Sequence, residues 1–189
     1  MCDDAENKHE ASGWMLDDLS QGERALLGAL RGWKAANRGG GLGVVLHAVK
    51  GAGLPLGAVL PLASLLGTLE MAARQDGRNL RCVACRGVSR DEALLLDAVA
   101  AAQWGMAAQA QAILADWFPG SAASAAAAAE KVGELARALG EAEALFPGGR
   151  VSGGWGGSAN DDAALYAVAA EWPLLYAISV TPRDWRRRR

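Results

Sequence analysis

The stretch that decides the fold covers residues 89–104 and has the sequence SRDEALLLDAVAAAQW. Ser89 and Glu92 have the spacing of a capping box, in which each side chain binds the other residue's exposed backbone amide. We therefore predict a helix over residues 90–104. Apolar residues lie on nearly all sides of it, which is typical of a central helix and not of a surface one. The side chains that we expect to be buried here and in the next helix are Leu95, Leu96, Val99, Ile113 and Trp117.

Further helices are predicted on both sides of this central one. Ser20 and Glu23 form a second capping box, which begins a helix that runs to about Ala36. Glycine and proline divide the rest of the chain, because proline is tolerated only in the first turn of a helix. The other expected helices cover residues 43–50, a stretch from Pro55 or Pro61 to about Gln75, residues 106–118, and a stretch from Ser121 or Ser124 to Leu139. On the short helix, the side chains expected to face inward are Leu42, Val45, Leu46 and Val49.

The expected fold class is all-α, as a compact bundle of about five to seven helices. At most one short strand pair is expected, between residues 79–84 and 174–180. The 189 residues are 51% hydrophobic and 21% charged, which is ordinary for one globular domain with tails. The predicted organisation is an acidic arm over 1–19, a helical core over 20–146, a glycine-rich linker over 147–160, a helix and an extended segment over 161–182, and a basic tail over 183–189.

The region from Arg24 to Leu139 resembles a family of small uncharacterised bacterial helical proteins (domain of unknown function 6628). The resemblance depends on Leu26-Leu27, Ala29-Leu30-Arg31, the cysteine pair 82/85 and the run from Asp91 to Leu96. It implies an all-α fold and supplies no activity.

The sharpest motif is Cys82-Val-Ala-Cys85-Arg-Gly87. Two thiolates two residues apart can bind zinc, but a closed structural site needs four ligands. The other candidate ligands are Cys2, His9 and His47, and His47 is expected to be exposed. Plain cysteines, half of a zinc site (in one chain or across a dimer) and a redox pair all remain open. The redox alternative is disfavoured because the predicted helix begins beyond both cysteines and cannot activate them.

Known catalytic patterns are missing from the sequence. The chain has two histidines and no Gly-x-Ser-x-Gly motif, which argues against a hydrolytic triad. The glycine runs lack the lysine and the spacing of a phosphate-binding loop. We therefore expect a non-enzymatic protein. An enzyme whose polar residues meet only in the folded chain is an alternative that the sequence leaves open.

The two ends of the chain carry opposite charge. Residues 1–18 hold six carboxylates against one lysine, and the last seven residues hold five arginines against one aspartate. The tail combines arginines with an aromatic side chain, a composition that suits weak contact with a polyanion. Its candidate partner-binding residues are Trp185, Arg186, Arg187, Arg188 and Arg189. Trp33, Trp104 and Trp117 are expected in the core, whereas Trp14, Trp155, Trp172 and Trp185 could anchor a partner.

The leading hypothesis is a helical adaptor or regulator that binds a protein partner. The partner can also be a second copy of the same chain, in which case the protein forms a homo-oligomer. The alternative is a small metal-binding protein that uses Cys82 and Cys85, with zinc as the cofactor. The odd, low cysteine count favours a reducing compartment, and the acidic N-terminus is unlike a secretory signal, so we expect a cytoplasmic location. Residues 51–69 are uncharged but contain two prolines and four glycines, which favours a buried helix pair over a membrane span.

Overall fold

The computed structural model describes residues 11–36, 41–76, 80–144 and 146, which all belong to the unit Met1–Gly149. Helices dominate this part of the chain, as the sequence predicted. The α-helices are α1 Gln21–Ala35, α2 Leu42–Gly51, α3 Val59–Asp76, α4 Arg90–Gln103, α5 Ala107–Ala115 and α6 Ala122–Glu141. Short 3₁₀ helices precede α1 and α3, at Leu16–Asp18 and Leu56–Ala58. The all-α prediction is therefore confirmed.

Both predicted capping boxes are present. The amide of Ser20 donates to the Glu23 carboxylate at 2.7 Å, and the Glu23 amide donates back to the Ser20 hydroxyl at 3.3 Å. Ser89 and Glu92 make the same exchange at 2.8 and 3.1 Å. These local bonds satisfy amides that have no partner inside the helix, and so they fix where α1 and α4 begin.

Helix α4 is the centre of the fold, as predicted. Every residue from Asp91 to Ala101 is buried, and α4 packs against α1, α5 and α6. Its Leu95, Leu96 and Val99 join Trp117 in the apolar core, so these burial predictions are confirmed. Ile113 on α5 was also predicted to be buried, but it is only partly buried against that core.

Three apolar residues that were expected in the core lie at the surface. On α2 only Val45 and Val49 are buried, whereas Leu42 is 50% exposed and Leu46 is 36% exposed. Helix α2 packs against α1 and α3, and this leaves its other side uncovered. Trp104 is 50% exposed because it follows the last turn of α4, where its indole nitrogen donates to the Phe146 carbonyl at 3.4 Å.

One antiparallel strand pair is present, but at a different place from the prediction. Strand β1 is Ala11–Met15 and β2 is Gly87–Ser89; Ala11 lies opposite Ser89 and Met15 opposite Gly87, with an irregularity between these pairs. Residues 80–84, which were expected to be either extended, as one member of a strand pair, or a turn, form coil and a turn. Side chains, not a neighbouring strand, bind the backbone there. The other predicted strand, residues 174–180, lies outside the described residues.

Candidate functional site

The two cysteines of the sequence motif lie on a tight surface loop, residues 80–86, which we call the cysteine loop. The Cys85 amide donates to the Cys82 carbonyl at 3.2 Å, and the two Cα atoms are 5.4 Å apart. The sulfur atoms are joined in a disulfide. Both cysteines are half-buried, while Val83 at the tip of the loop is 56% exposed. The sulfurs therefore sit at the edge of the protein, on a turn that keeps them together.

The cysteine loop rests on a buried ion pair that joins α1 to α4. Arg31 is 2% exposed and Glu92 is fully buried. Their contact is bidentate, with Arg31 Nε donating to Glu92 Oε1 at 2.8 Å and Arg31 Nη2 donating to Oε2 at 2.7 Å. Paired donors and acceptors of this kind fix orientation as well as distance, because both bonds must form in one plane.

This ion pair also binds the backbone on both sides of the cysteines. The Arg31 guanidinium donates to the carbonyls of Cys85 and Gly87, the latter at 2.7 Å. The Glu92 carboxylate accepts from the amides of Arg81 and Ser89, at 2.7 and 2.8 Å. Because both partners are buried and their orientation is fixed, we expect them to hold the loop in one conformation.

Further contacts fix the two ends of the cysteine loop. The Lys34 ammonium donates to the Leu80 carbonyl where the loop begins. Where it ends, the Leu16 amide donates to the Arg86 carbonyl at 2.8 Å. The Arg86 side chain forms an ion pair with Asp17, with both partners more than two-thirds exposed. Exposed pairs of this kind contribute only about 0–1 kcal/mol. The acidic N-terminal region and the basic cysteine loop are nevertheless in direct contact through it.

The Arg81 side chain lies beside the backbone of Gly87, at the end of the cysteine loop. A Cβ atom placed on Gly87 would lie 3.0 Å from Arg81 Nη1, so this guanidinium passes close to the Gly87 backbone. Arg81 Nε is buried and has no hydrogen-bond partner among the described residues.

Of the site residues predicted from the sequence, the described structure brings together Cys82 and Cys85. His47 is exposed on α2, as predicted. Within the described ranges, no three His, Cys, Asp or Glu side chains are grouped so that they could hold a metal. The predicted ligands Cys2 and His9 and the predicted tail contacts lie outside these ranges. The tail residues are Trp185, Arg186, Arg187, Arg188 and Arg189.

Sequence reasoning missed Arg31 as part of the site. The sequence did indicate that Arg31 is buried, because it follows Leu27 by one helical turn and therefore lies on the apolar stripe of α1. A charge on a buried face needs a buried partner. The sequence assigned Glu92 to the cap of α4 alone, and so the ion pair between the two residues was not predicted.

A second surface feature is a set of apolar side chains on the hairpin of α2 and α3, which we call the α2–α3 apolar face. Its members are Leu42, Leu46, Leu56, Leu60 and Met71, which are 36–69% exposed. Along α3 the exposed positions recur at helical spacing, from Leu60 through Ser64 and Gly67 to Met71, and none of them is charged.

No α-helix within the described residues has both the length and the apolar composition that a membrane crossing requires. Comparisons with protein-family models, with characterised proteins and with solved structures find no match to this chain. The resemblance of residues 24–139 to domain of unknown function 6628 therefore stays a prediction.

Proposed function

We propose that this protein is a non-enzymatic helical adaptor or regulator that binds a protein partner through the α2–α3 apolar face. The observation that supports the proposal is the exposure of Leu60 and Met71 on α3, which are 65% and 69% exposed, and of Leu56 in the short 3₁₀ helix before it, which is 61% exposed. Large apolar side chains that are exposed in a group, and not singly, are a feature of contact sites. Covering it stabilises a complex by about 25 cal/mol for each Å² of apolar area removed from water.

The chemistry of this face favours an apolar helix as the occupant. Residues 51–69 contain no charged side chain, so this part of the surface has no charge with which to select an acidic or basic segment. The exposed positions of α3 lie four, seven and eleven residues from Leu60, which matches the spacing with which two helices interdigitate. The partner segment is therefore an amphipathic helix, from another protein or from a second copy of this chain.

The test replaces Leu60 by glutamate, which places a charge in the middle of the face. The matched control is Gln111→Glu, which adds the same charge at an exposed position of α5. Proteins captured from native lysate by the wild type and by both variants are quantified by mass spectrometry. Any partner found in this way is then purified and its affinity for each protein is measured. We expect the partner to bind the wild type and the control equally well, and to bind the Leu60 variant at least tenfold more weakly. Sedimentation of the three proteins alone tests self-association in the same way.

Equal binding by all three proteins, together with equal sedimentation, would overturn this proposal. Unfolding midpoints for both variants show whether the fold is kept. Because Leu60 is 65% exposed, the substitution should change stability by less than about 0.5 kcal/mol.

The second candidate function is metal binding by Cys82 and Cys85, with zinc as the metal. The observation that favours it is the support beneath the cysteine loop, where the Arg31–Glu92 pair binds the backbone before and after the two sulfurs. A loop held in this way presents two sulfurs at a fixed separation. The test is the zinc content of the reduced protein, purified without a polyhistidine tag, compared with that of Cys82→Ser. Equal zinc in the two proteins would reject this function.

A further inference from the structure

We propose that the Cys82–Cys85 disulfide is a redox site, which an external dithiol opens and closes by thiol–disulfide exchange while the rest of the fold stays intact. The inference goes beyond the proposed function and does not depend on it. It rests on the short span of the disulfide, on the hydrogen bonds that hold the cysteine loop without it, and on the exposure of the turn. The reactant is a dithiol, carried by a small molecule or by a protein.

The disulfide spans too few residues to act as a structural staple. Cys82 and Cys85 are three positions apart, so the bond joins two residues of one turn and connects no two elements of the fold. A disulfide constrains the unfolded chain more as the loop that it closes grows longer, and two intervening residues give little of this effect. The buried Arg31–Glu92 pair joins α1 to α4 independently of the sulfurs. We therefore expect the helices to keep their packing when the sulfur–sulfur bond is broken.

Hydrogen bonds hold the cysteine loop in shape without the disulfide. The Arg31–Glu92 pair binds backbone groups before and after the two cysteines. Within the turn, the Cys85 amide donates to the Cys82 carbonyl at 3.2 Å, and the two Cα atoms are 5.4 Å apart. Disulfides form at Cα separations of this size. The two thiols of the reduced loop therefore stay within reach of each other, and their high effective concentration favours closing the bond again.

The turn that carries the sulfurs is open to a reactant from solution. Cys82 and Cys85 are half-buried, and Val83 and Ala84 between them are exposed. Exchange requires contact between the attacking sulfur and one sulfur of the disulfide, so its rate depends on access. A disulfide covered by helices would exchange only after unfolding. This one lies at the surface, and so a dithiol can reach it in the folded protein.

The surroundings of the disulfide suit a group that receives electrons and not an oxidising catalyst. Such catalysts place a thiol at a helix N-terminus, which lowers its pKa. Helix α4 begins only at Arg90, beyond both cysteines, as the sequence predicted. The sequence disfavoured a redox pair on this ground, but that argument concerns a protein whose own thiol attacks. Here the attacking thiol belongs to the external dithiol.

The exchange takes place in two steps. One thiolate of the donor attacks a sulfur of the disulfide, so that a mixed disulfide forms, the Cys82–Cys85 bond breaks and the released cysteine takes up a proton. The second thiol of the donor then attacks the mixed disulfide, which closes the donor's own disulfide and releases the other cysteine as a thiol. The donor loses two electrons and two protons, and the loop gains them. An oxidised donor closes the loop by the reverse reaction.

The experiment uses the untagged full chain and Cys2→Ser, which removes the third cysteine so that only the loop pair is counted. Both proteins are equilibrated with mixtures of reduced and oxidised dithiothreitol in the presence of a metal chelator, starting from the oxidised and from the reduced form. Free thiols are alkylated and counted by mass spectrometry. Circular dichroism and urea unfolding of both forms report whether the helices and the core are kept.

We expect Cys2→Ser to gain two alkylated thiols in a single two-electron step, with the same midpoint from both directions. The helix content should be unchanged, and both forms should unfold cooperatively. Reduction by dithiothreitol and by a thioredoxin, at equal dithiol concentration, is then compared. A faster reaction with thioredoxin identifies a protein dithiol as the donor, and an equal or slower one identifies a small molecule.

Lys34→Met tests whether backbone hydrogen bonds keep the two thiols together. The Lys34 ammonium donates to the Leu80 carbonyl where the loop begins, and the matched control Lys50→Met removes the same charge from an exposed position of α2. Loss of one hydrogen bond should shift the midpoint toward the reduced form by about two- to tenfold in the dithiothreitol ratio, and the control should keep the wild-type midpoint. Equal midpoints in the two variants would contradict the role of the backbone support.

Three results would overturn the inference as a whole. The first is a disulfide that dithiothreitol reduces only at urea concentrations that unfold the chain. The second is a loss of helix content on reduction, which would make the disulfide a structural staple. The third is a reduced loop that oxidised dithiothreitol fails to close.

Discussion

Glu92 is the residue on which most of the described site depends. Its carboxylate caps α4 through Ser89, pairs with Arg31 and binds the amide of Arg81. A fully buried carboxylate is costly unless all its lone pairs are used, and here four donors satisfy them. The cap, the contact between α1 and α4 and the cysteine loop are thus linked through one side chain.

The first prediction concerns Arg31, because removing it leaves the Glu92 charge buried without its partner. Arg31→Met keeps an apolar stem and removes the guanidinium, and we expect it to lower the free energy of unfolding by about 3–5 kcal/mol. Arg24→Met is the control, since Arg24 is an exposed residue of the same helix. Urea unfolding at fixed redox state measures both variants. A loss below about 1 kcal/mol would show that Glu92 is easily hydrated when Arg31 is absent.

At the scale of elements, the sequence predicted where helices begin better than it predicted which side of each helix is buried. A capping box joins residues three positions apart, so Ser20–Glu23 and Ser89–Glu92 were visible without any tertiary information. The face of a short helix depends on which neighbours cover it. Leu42 and Leu46 follow the same periodic pattern as Val45 and Val49, yet they are exposed because α2 contacts the fold on one side.

The positions of the two paired strands were even harder to predict from the local sequence. Strand β1 has five residues and begins inside a segment whose charge indicated a solvated arm. Its partner β2 has three residues, too few for an alternating pattern to be seen. The pairing joins residues more than seventy positions apart, which no local signal predicts. The ion pair of Arg31 with Glu92 also joins distant residues: the apolar stripe of α1 indicated that Arg31 is buried, but no local pattern identified Glu92 as its partner.

The second prediction tests α4 as the central helix. Leu95→Ala removes apolar contacts and leaves a cavity at a position that is 2% exposed, so we expect a loss of about 2–5 kcal/mol. The control is Leu60→Ala on α3, where the same change at 65% exposure should cost less than about 0.5 kcal/mol. Thermal or urea unfolding compares the two variants. Similar small losses in both would place α4 at the surface.

The third prediction concerns the segment after α6. Gln103 donates to the Ala144 carbonyl at 3.0 Å and accepts from the Phe146 amide at 2.8 Å. We expect Gln103→Leu to cost about 1–3 kcal/mol, because both backbone groups lose their partner. Gln109→Leu, on α5, is the matched control. If both variants unfold at the same urea concentration, the Gln103 contacts contribute nothing.

At the scale of the whole molecule, the arrangement of charge along the chain suggests the fourth prediction. Five arginines in the last seven residues cannot enter a core without paired anions. We expect weak, salt-dependent binding of single-stranded RNA by the full chain and none after truncation at Pro182. If all five arginines contact phosphates, the logarithm of the association constant falls with the logarithm of salt concentration at a slope of up to about −3.5.

Fluorescence anisotropy of labelled RNA measures this binding. The control variant is Arg24→Met, which removes one positive charge elsewhere. Equal binding by the full chain and the truncated chain would exclude the tail as the contact.

The distance along the chain between Arg31 and Glu92 has a consequence for the order of folding. The two residues are 61 positions apart, whereas Ser89 and Glu92 are three apart. Helix α4 can therefore start alone, with its carboxylate still hydrated, but it cannot be buried before α1 arrives with the guanidinium. We expect docking of α1 to be a late step. Arg31→Met should then speed unfolding and leave the refolding rate nearly unchanged in stopped-flow measurements, as is typical of contacts formed after the transition state.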